Sequence, residues 1–342
     1  MSSKNNIPKN ASRRDFLLKG SMASLGVLIS PPSVNHLFSS NQFGGKPNSK
    51  IKGVQIGVTT YSFRSMPCTP DKLIEYCVAS NINAIELKGD EIETYLGKPA
   101  NAVKLPPRVN GQPAPLTDDL KKQIAAYNKQ VADWRANISM DKFVELRKMF
   151  KKAGLDIYAY KPNALGADNT DAEVEYAMRA GKALGATSVS VELPKEGSET
   201  KRLGNLGIKH KMYIGYHAHL QATDTAWDEA LAQSPYNTMN LDCGHYIAAG
   251  GKNTKESLLA LIQAKHDRIS TLHIKDRKNK EHGGENQMWG QGDTPIKEIL
   301  ALLRDKKYNI PATIELEYTL PKDSDAVKET KRCRDYSMEM LM

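Results

Sequence analysis

From Val54 onward the sequence alternates eight short runs rich in β-branched residues with longer runs of helical period, and nothing else in the chain constrains the fold as strongly. The expected strands are 54–61, 84–87, 156–160, 188–193, 212–217, 239–242, 269–274 and 312–316. Helix signals fall between them. Thr69-Pro70 opens one helix, Ser139 opens another that Gly154 closes, Thr170-x-x-Glu173 is a capping box, and Asp293-Thr294-Pro295 starts the penultimate one. Eight βα units within residues 51–342 fit a closed (β/α)8 barrel. The competing doubly wound sheet needs a glycine-rich turn after its first strand, where this chain has Tyr61-Ser62-Phe63.

The expected barrel carries an inserted helical segment after strand 2, residues 97–137. It starts as a Pro/Gly/Asn-rich loop and continues as an amphipathic helix with Leu120, Ile124, Tyr127, Val131 and Trp134 spaced by four and three. Because βα loops gather on the catalytic face, the insertion is expected to sit at the mouth of the site, either as a lid or wall or as a merely decorative packed helix. Its deletion is expected to spare the fold, since it lies outside the barrel core.

Residues 1–50 read as a leader and linker. Ser12-Arg13-Arg14-Asp15-Phe16-Leu17 and the short apolar stretch 22–29 resemble a twin-arginine export signal, so the expected location is the periplasm. The apolar stretch is too short to span a bilayer, and no run of about twenty apolar residues follows it, so no membrane span is expected in the mature form. At 40% hydrophobic residues the chain can build a core, which excludes a disordered protein. Its net charge of +9 is partly in the leader and otherwise scattered, which argues against a nucleic-acid partner. Cys68, Cys77, Cys243 and Cys333 are dispersed and read as free thiols. The oligomeric state is left open.

In a barrel the chemistry comes from strand C-termini, and here they are unusually polar. Strand two ends in Glu86, strand three in Lys161, strand four in Glu192, and strand five in His217-Ala218-His219. Strand six ends in Asp242-Cys243-Gly244-His245, strand seven in His273-Ile274-Lys275 and strand eight in Glu315-Leu316-Glu317. Alternation puts Glu315 with Glu317, and His273 with Lys275, on one face each. Converging carboxylates repel unless a cation or a shared proton neutralises them, and a mixed Asp, Glu and His set suits one divalent ion, Mn, Co, Mg or Zn.

At these residues the sequence resembles the sugar phosphate isomerase/epimerase superfamily, the xylose isomerase-like TIM barrels that include AP endonucleases and ketose 3-epimerases. The resemblance runs from about Gly53 to Met342 and is carried by Leu241-Asp242-x-Gly-His245, His273-Ile-Lys275-Asp276, the turn Gly290-x-Gly292-Asp293-Thr294-Pro295, and Thr313-Ile-Glu315-Leu-Glu317. It implies that Asp242, His273 and Glu315 hold the metal and that His245 contacts substrate. Similar epimerases have a strand-five glutamate as fourth ligand and second base. This chain has Tyr216-His217-Ala218-His219 instead, so Glu192 or His217 is the candidate fourth ligand. Glu86 and Lys161 stand where AP endonucleases have additional histidines, which disfavours phosphodiester cleavage.

The superfamily's recurrent step is removal of a proton alpha to a sugar carbonyl. The candidate catalytic residues are Glu315, His217 and Glu192, and the candidate substrate contacts are His219, His245, Lys161, Lys275 and Glu86. Resemblance to exported bacterial proteins acting on 3-keto-glycosides, with the same Gly-Tyr-His and Ile-Glu-Leu-Glu-Tyr patterns, makes elimination of the aglycone (a 1,2-lyase) the leading expectation. The alternatives are an isomerase or epimerase of unphosphorylated sugars and a non-catalytic, metal-dependent sugar-binding protein.

Overall fold

A computed structural model describes residues 45–107 and 114–342. Eight parallel strands close on themselves: β1 (Val54–Thr59), β2 (Ala84–Lys88), β3 (Asp156–Lys161), β4 (Ser188–Glu192), β5 (Tyr213–His217), β6 (Asn237–Asp242), β7 (Ile269–Ile274) and β8 (Ala312–Ile314). Each pairs with its sequence neighbours, and β8 pairs with β1 to complete the ring. This is the expected (β/α)8 barrel.

Strand alternation divides the residues between two environments. Ile85, Leu87, Leu241, Leu272 and Ile274, all fully buried, belong to one hydrophobic core cluster with helix residues such as Leu73, Val174 and Leu300. Burial of each such side chain is worth about 1.5–3 kcal/mol. The alternate positions are polar: Thr271 and Thr313 hydrogen-bond at 2.7 Å, Tyr158 bonds Thr313, and one step up the strands stand Glu86, Asn240 and His273. Bulges between Ile85 and Glu86 and between Met239 and Asn240 shift the register there, so that Asp242 faces His273. Glu192 faces His217 across β4 and β5.

Three strands end earlier than the sequence suggests, β4 by one residue and β1 and β8 by two. After Thr59 the chain turns into a 3-10 helix, Thr60–Phe63, whose Thr60 hydroxyl accepts from the Lys88 amide at 2.9 Å. After Ile314, the Leu316 amide is taken by the Ser62 hydroxyl at 3.1 Å, so the strand ends before Glu315. The helix signals at Thr69, Thr170 and Pro295 lie at the starts of α1 (Pro70–Ala79), α5 (Asp171–Leu184) and α10 (Ile296–Lys306).

The twin-arginine segment lies outside the described residues. Within the compact unit that begins at Gly45, the Ser49 hydroxyl, fully buried, bonds the Ile56 carbonyl at 2.7 Å and Asn83 at 2.6 Å. Among the described residues no helix is long and apolar enough to cross a membrane.

The insertion also differs from expectation. After α2 (Gly89–Tyr95) comes α3 (Asp118–Asn137), then α4 (Asp141–Lys152). Val131 of α3 is buried and Trp134 meets Tyr176 of α5 edge-on at 6.0 Å. The decisive contact is Arg135, which grips the fully buried Glu93 through Nε and Nη2, both at 3.1 Å, and Glu173 through Nη1 at 2.9 Å. Lys98 at 3.2 Å and the Tyr176 hydroxyl at 3.1 Å also hold Glu93. Removing residues 97–137 would strand a buried carboxylate, so the insertion is part of the fold rather than a dispensable addition.

Candidate active site

At the C-terminal end of the barrel lies a cavity of about 740 Å³, the size range of small-molecule sites. Its floor is Glu86, His217, His273, Lys275 and Glu315; its open side is formed by the segments after β3 and β4, with Lys161, Asn163, Glu192 and Pro194. Among the described residues, none of the insertion lines it, so the lid reading finds no support in this geometry.

The floor is a buried charge lattice. His273 sits between two carboxylates, with Nε2 3.1 Å from Glu86 and Nδ1 3.2 Å from Glu315. Burial opposes its charge, but Glu86 and Glu315 outweigh it and push the pKa up to about 10. The Lys275 ammonium is 3.0 Å from Asp242 Oδ2, 2.7 Å from Glu315, 2.7 Å from Glu317 and 3.1 Å from His245 Nε2. Burial would neutralise Glu315, yet Lys275 and His273 hold its carboxyl well below the usual range. Asp242 differs: burial raises it against Lys275, and Oδ1 accepts the His245 amide at 2.7 Å as the cap of α8 (Cys243–Ala249).

Gly244, the second residue of that helix, is where the backbone passes Lys275. A Cβ there would sit 2.3 Å from the lysine Cγ and 2.7 Å from its carbonyl oxygen.

The histidines are of two kinds. His217 is buried, and burial, then His273 and Lys161, drive its pKa well down, so its ring is neutral. Its Nδ1 has no hydrogen-bond partner. One donor atom each from His217, Asp242 and His273 lie within 4.8 Å of one another, and so do atoms of His217, His219 and His245. A buried, unpartnered imidazole nitrogen beside a carboxylate and a second imidazole fits a borderline divalent ion. His245 is committed elsewhere: Nδ1 faces Arg277 at 2.7 Å and Nε2 faces Lys275, and burial with Lys275, His219 and Arg277 pushes its pKa down to about 3.

At the mouth stands a freer group. Glu192, 51% exposed, pairs with Lys161 at 2.9 Å, and the exposed His219 Nε2 is 3.5 Å from its other oxygen. Burial works against the Lys161 charge, but Glu192 and Glu86 keep its pKa above the ordinary lysine value.

The sequence-selected residues therefore converge, with roles redistributed. Glu315 is a poor proton acceptor because its charge is engaged by His273 and Lys275. Glu192 sits at the rim outside the His217, Asp242 and His273 cluster. Glu86 orients His273, and neither Lys275 nor His245 is free for a hydroxyl group. Sequence reasoning missed Asn240, whose Nδ2 donates to Glu86 at 3.3 Å, and Arg277. Asn240 was within reach, since it lies two residues before Asp242 on the same face.

The turn singled out by its glycines is explained by Asp276. Its Oδ2 accepts the amides of Gly290, Gln291 and Gly292 at 2.8, 3.1 and 2.8 Å, and its Oδ1 that of Thr294 at 3.2 Å. A Cβ on Gly292 would lie 2.0 Å from Asp276 Oδ1.

The family model of the xylose isomerase-like TIM barrel matches residues 122–336. The chain belongs to this family. No curated protein matches the chain. Among solved structures, this xylose isomerase-like barrel is similar to a xylose isomerase domain protein from Alicyclobacillus acidocaldarius (TM-score 0.57, 13% identity, covering 84% of this chain and 99% of that one). It is also similar to a probable 3-DHS dehydratase from Bacillus anthracis (0.56, 14%, 82% and 98%) and to 3-keto-D-glucoside 4-epimerase from E. coli (0.55, 11%, 84% and 99%). At these identities the likeness is one of fold.

Proposed function

We propose that this barrel is a sugar-active enzyme that removes the proton alpha to a sugar carbonyl and, as its leading reaction, eliminates the aglycone from 3-keto-glycosides. The observation that carries the reading is the pairing of Glu192 with His219, 3.5 Å apart at the cavity mouth above a floor of engaged charges. The rim supplies an acid and a base; the floor supplies fixed charge.

In the proposed reaction Glu192 takes the C2 proton beside the C3 ketone, with Lys161 holding the carboxylate in place. The freed electron pair becomes the C1–C2 double bond and the C1–O bond breaks. His219 gives a proton to the departing oxygen, leaving a 2-hydroxy-3-keto-glycal. Proton transfer from Glu192 to His219 resets both groups, so one acid-base pair on one side suffices. Inversion of a carbon centre would require a donor on the opposite face.

His217, Asp242 and His273, with Glu315 alongside, are the proposed ligands of one divalent ion, Mn, Co, Mg or Zn, which when bound supplies a Lewis acid for charge developing on the carbonyl oxygen. An unphosphorylated substrate and export to the periplasm by the twin-arginine route belong to the same proposal and rest on Ser12 to Leu18.

The test uses a 3-keto-glycoside with a chromogenic aglycone. Wild-type protein should release the aglycone in a chelator-sensitive way, and Glu192→Gln should lose about 10²–10⁴ in rate, the usual contribution of a positioned base. In heavy water, an epimerised or isomerised sugar carrying a carbon-bound deuteron, with no aglycone released, would refute elimination in favour of an isomerase. Tight binding without turnover would leave a sugar-binding protein.

A further inference from the structure

We propose that Lys275 is a resident counter-cation that holds the acidic floor in the ion's absence and competes with it, so that loading displaces the ammonium and the lysine sets how weakly the ion is held. The inference rests on the metal-binding part of the proposed function. Its first support is the crowding of acceptors. The ammonium has three protons, yet three carboxylates and an imidazole nitrogen stand within 3.1 Å of it. Such a gathering on a buried side chain, 2% exposed, is what a central cation requires.

The second support is the division of Asp242. Its Oδ1 is taken by the His245 amide at 2.7 Å, so the oxygen left for an ion is Oδ2, which Lys275 holds at 3.0 Å. Two cations cannot share that oxygen at bonding distance without strong mutual repulsion. Glu315, alongside the proposed ligands, is likewise shared, at 2.7 Å from the ammonium. The third support is a place for the lysine to go. Glu317, also at 2.7 Å, is the most exposed of the three carboxylates, at 22% against 0% for Asp242 and 9% for Glu315. A four-carbon stem lets the ammonium withdraw toward Glu317 while keeping one carboxylate partner.

The experiment titrates Mn²⁺ into chelator-stripped full-length protein by calorimetry and records thermal unfolding in chelator and in Mn²⁺. Wild type is compared with Lys275→Met, which keeps an unbranched stem and loses the ammonium, and Lys275→Arg, which keeps charge. Lys275→Met should bind Mn²⁺ about tenfold more tightly or better, while Lys275→Arg stays within about threefold of wild type. In chelator Lys275→Met should melt lower than wild type, because its carboxylates converge without a cation, and Mn²⁺ should raise its Tm by more than it raises that of wild type. Equal or weaker Mn²⁺ affinity in Lys275→Met overturns the competition, and an unchanged Tm in chelator overturns the resident-cation role. If none of the three proteins binds Mn²⁺, the inference falls with the metal reading, whereas proton abstraction is judged separately by aglycone release.

Discussion

Arg135→Met is the sharpest test of how the insertion is built in. The substitution keeps an unbranched apolar stem and removes the guanidinium, with its charge, its donors and its place 5.8 Å from the Tyr176 ring centre. Glu93 then loses two of its four hydrogen bonds but keeps Lys98 at 3.2 Å and the Tyr176 hydroxyl at 3.1 Å. Glu173 keeps Asn169 at 3.1 Å and the Thr170 amide at 3.0 Å. Removing one partner of a buried ion pair costs about 3–5 kcal/mol, and the surviving partners place this case near the lower end, about 3 kcal/mol. At about 2–4 °C per kcal/mol, Tm should fall by roughly 6–12 °C. The double variant Glu93→Gln, Arg135→Met should recover more than half of that loss, because it leaves no stranded charge there and Lys98 still has Asp90 at 3.3 Å. Urea unfolding followed by circular dichroism measures all three proteins. A loss under about 1 kcal/mol for Arg135→Met, or no recovery in the double variant, would refute the clamp. Aglycone release by the folded variant should match wild type, since no described residue of the insertion lines the cavity.

Three further outcomes follow from the structure. Asp242→Asn should fold, because Asn caps a helix as well as Asp, but should no longer hold Mn²⁺; a full metal equivalent in that variant would sink the ligand assignment. Burial and Glu91 push the Cys68 thiol up to about 11, and burial raises Cys77, Cys243 and Cys333, so at pH 8 the native protein should resist iodoacetamide for hours while the unfolded protein takes four labels; rapid native labelling of Cys68 by mass spectrometry would contradict this. Replacing Arg13 and Arg14 by lysine should retain the protein in the cytoplasm on cell fractionation, and continued export would point to another signal.

The barrel was legible because its strands carry a local pattern, and Ile269–Ile274 falls where the sequence places it. The site was legible as a set because strand ends are fixed once the strands are. Which cation each carboxylate engages was not, since that depends on the bulge before Asn240 and on side chains more than forty residues apart, as with Lys275 and Glu317. Arg135 escaped notice for a similar reason. It lies beside the apolar stripe of α3, where a charged residue ordinarily faces water, and only the buried Glu93 of α2 reveals its burial.

The close passage of Gly244 over Lys275 ties two positions together across thirty residues of sequence. Any side chain at 244 would collide with the lysine stem and with the backbone carbonyl oxygen of residue 275, and a change of side chain at 275 relieves only the first. An engineer seeking to retune the acidic floor would therefore find position 275 open to shorter side chains and position 244 closed, and a library that randomised 244 alone would return little but glycine. In a set of related sequences position 244 would be expected to stay glycine whatever side chain stands at 275, because the backbone carbonyl there remains 2.7 Å from the site of a Cβ.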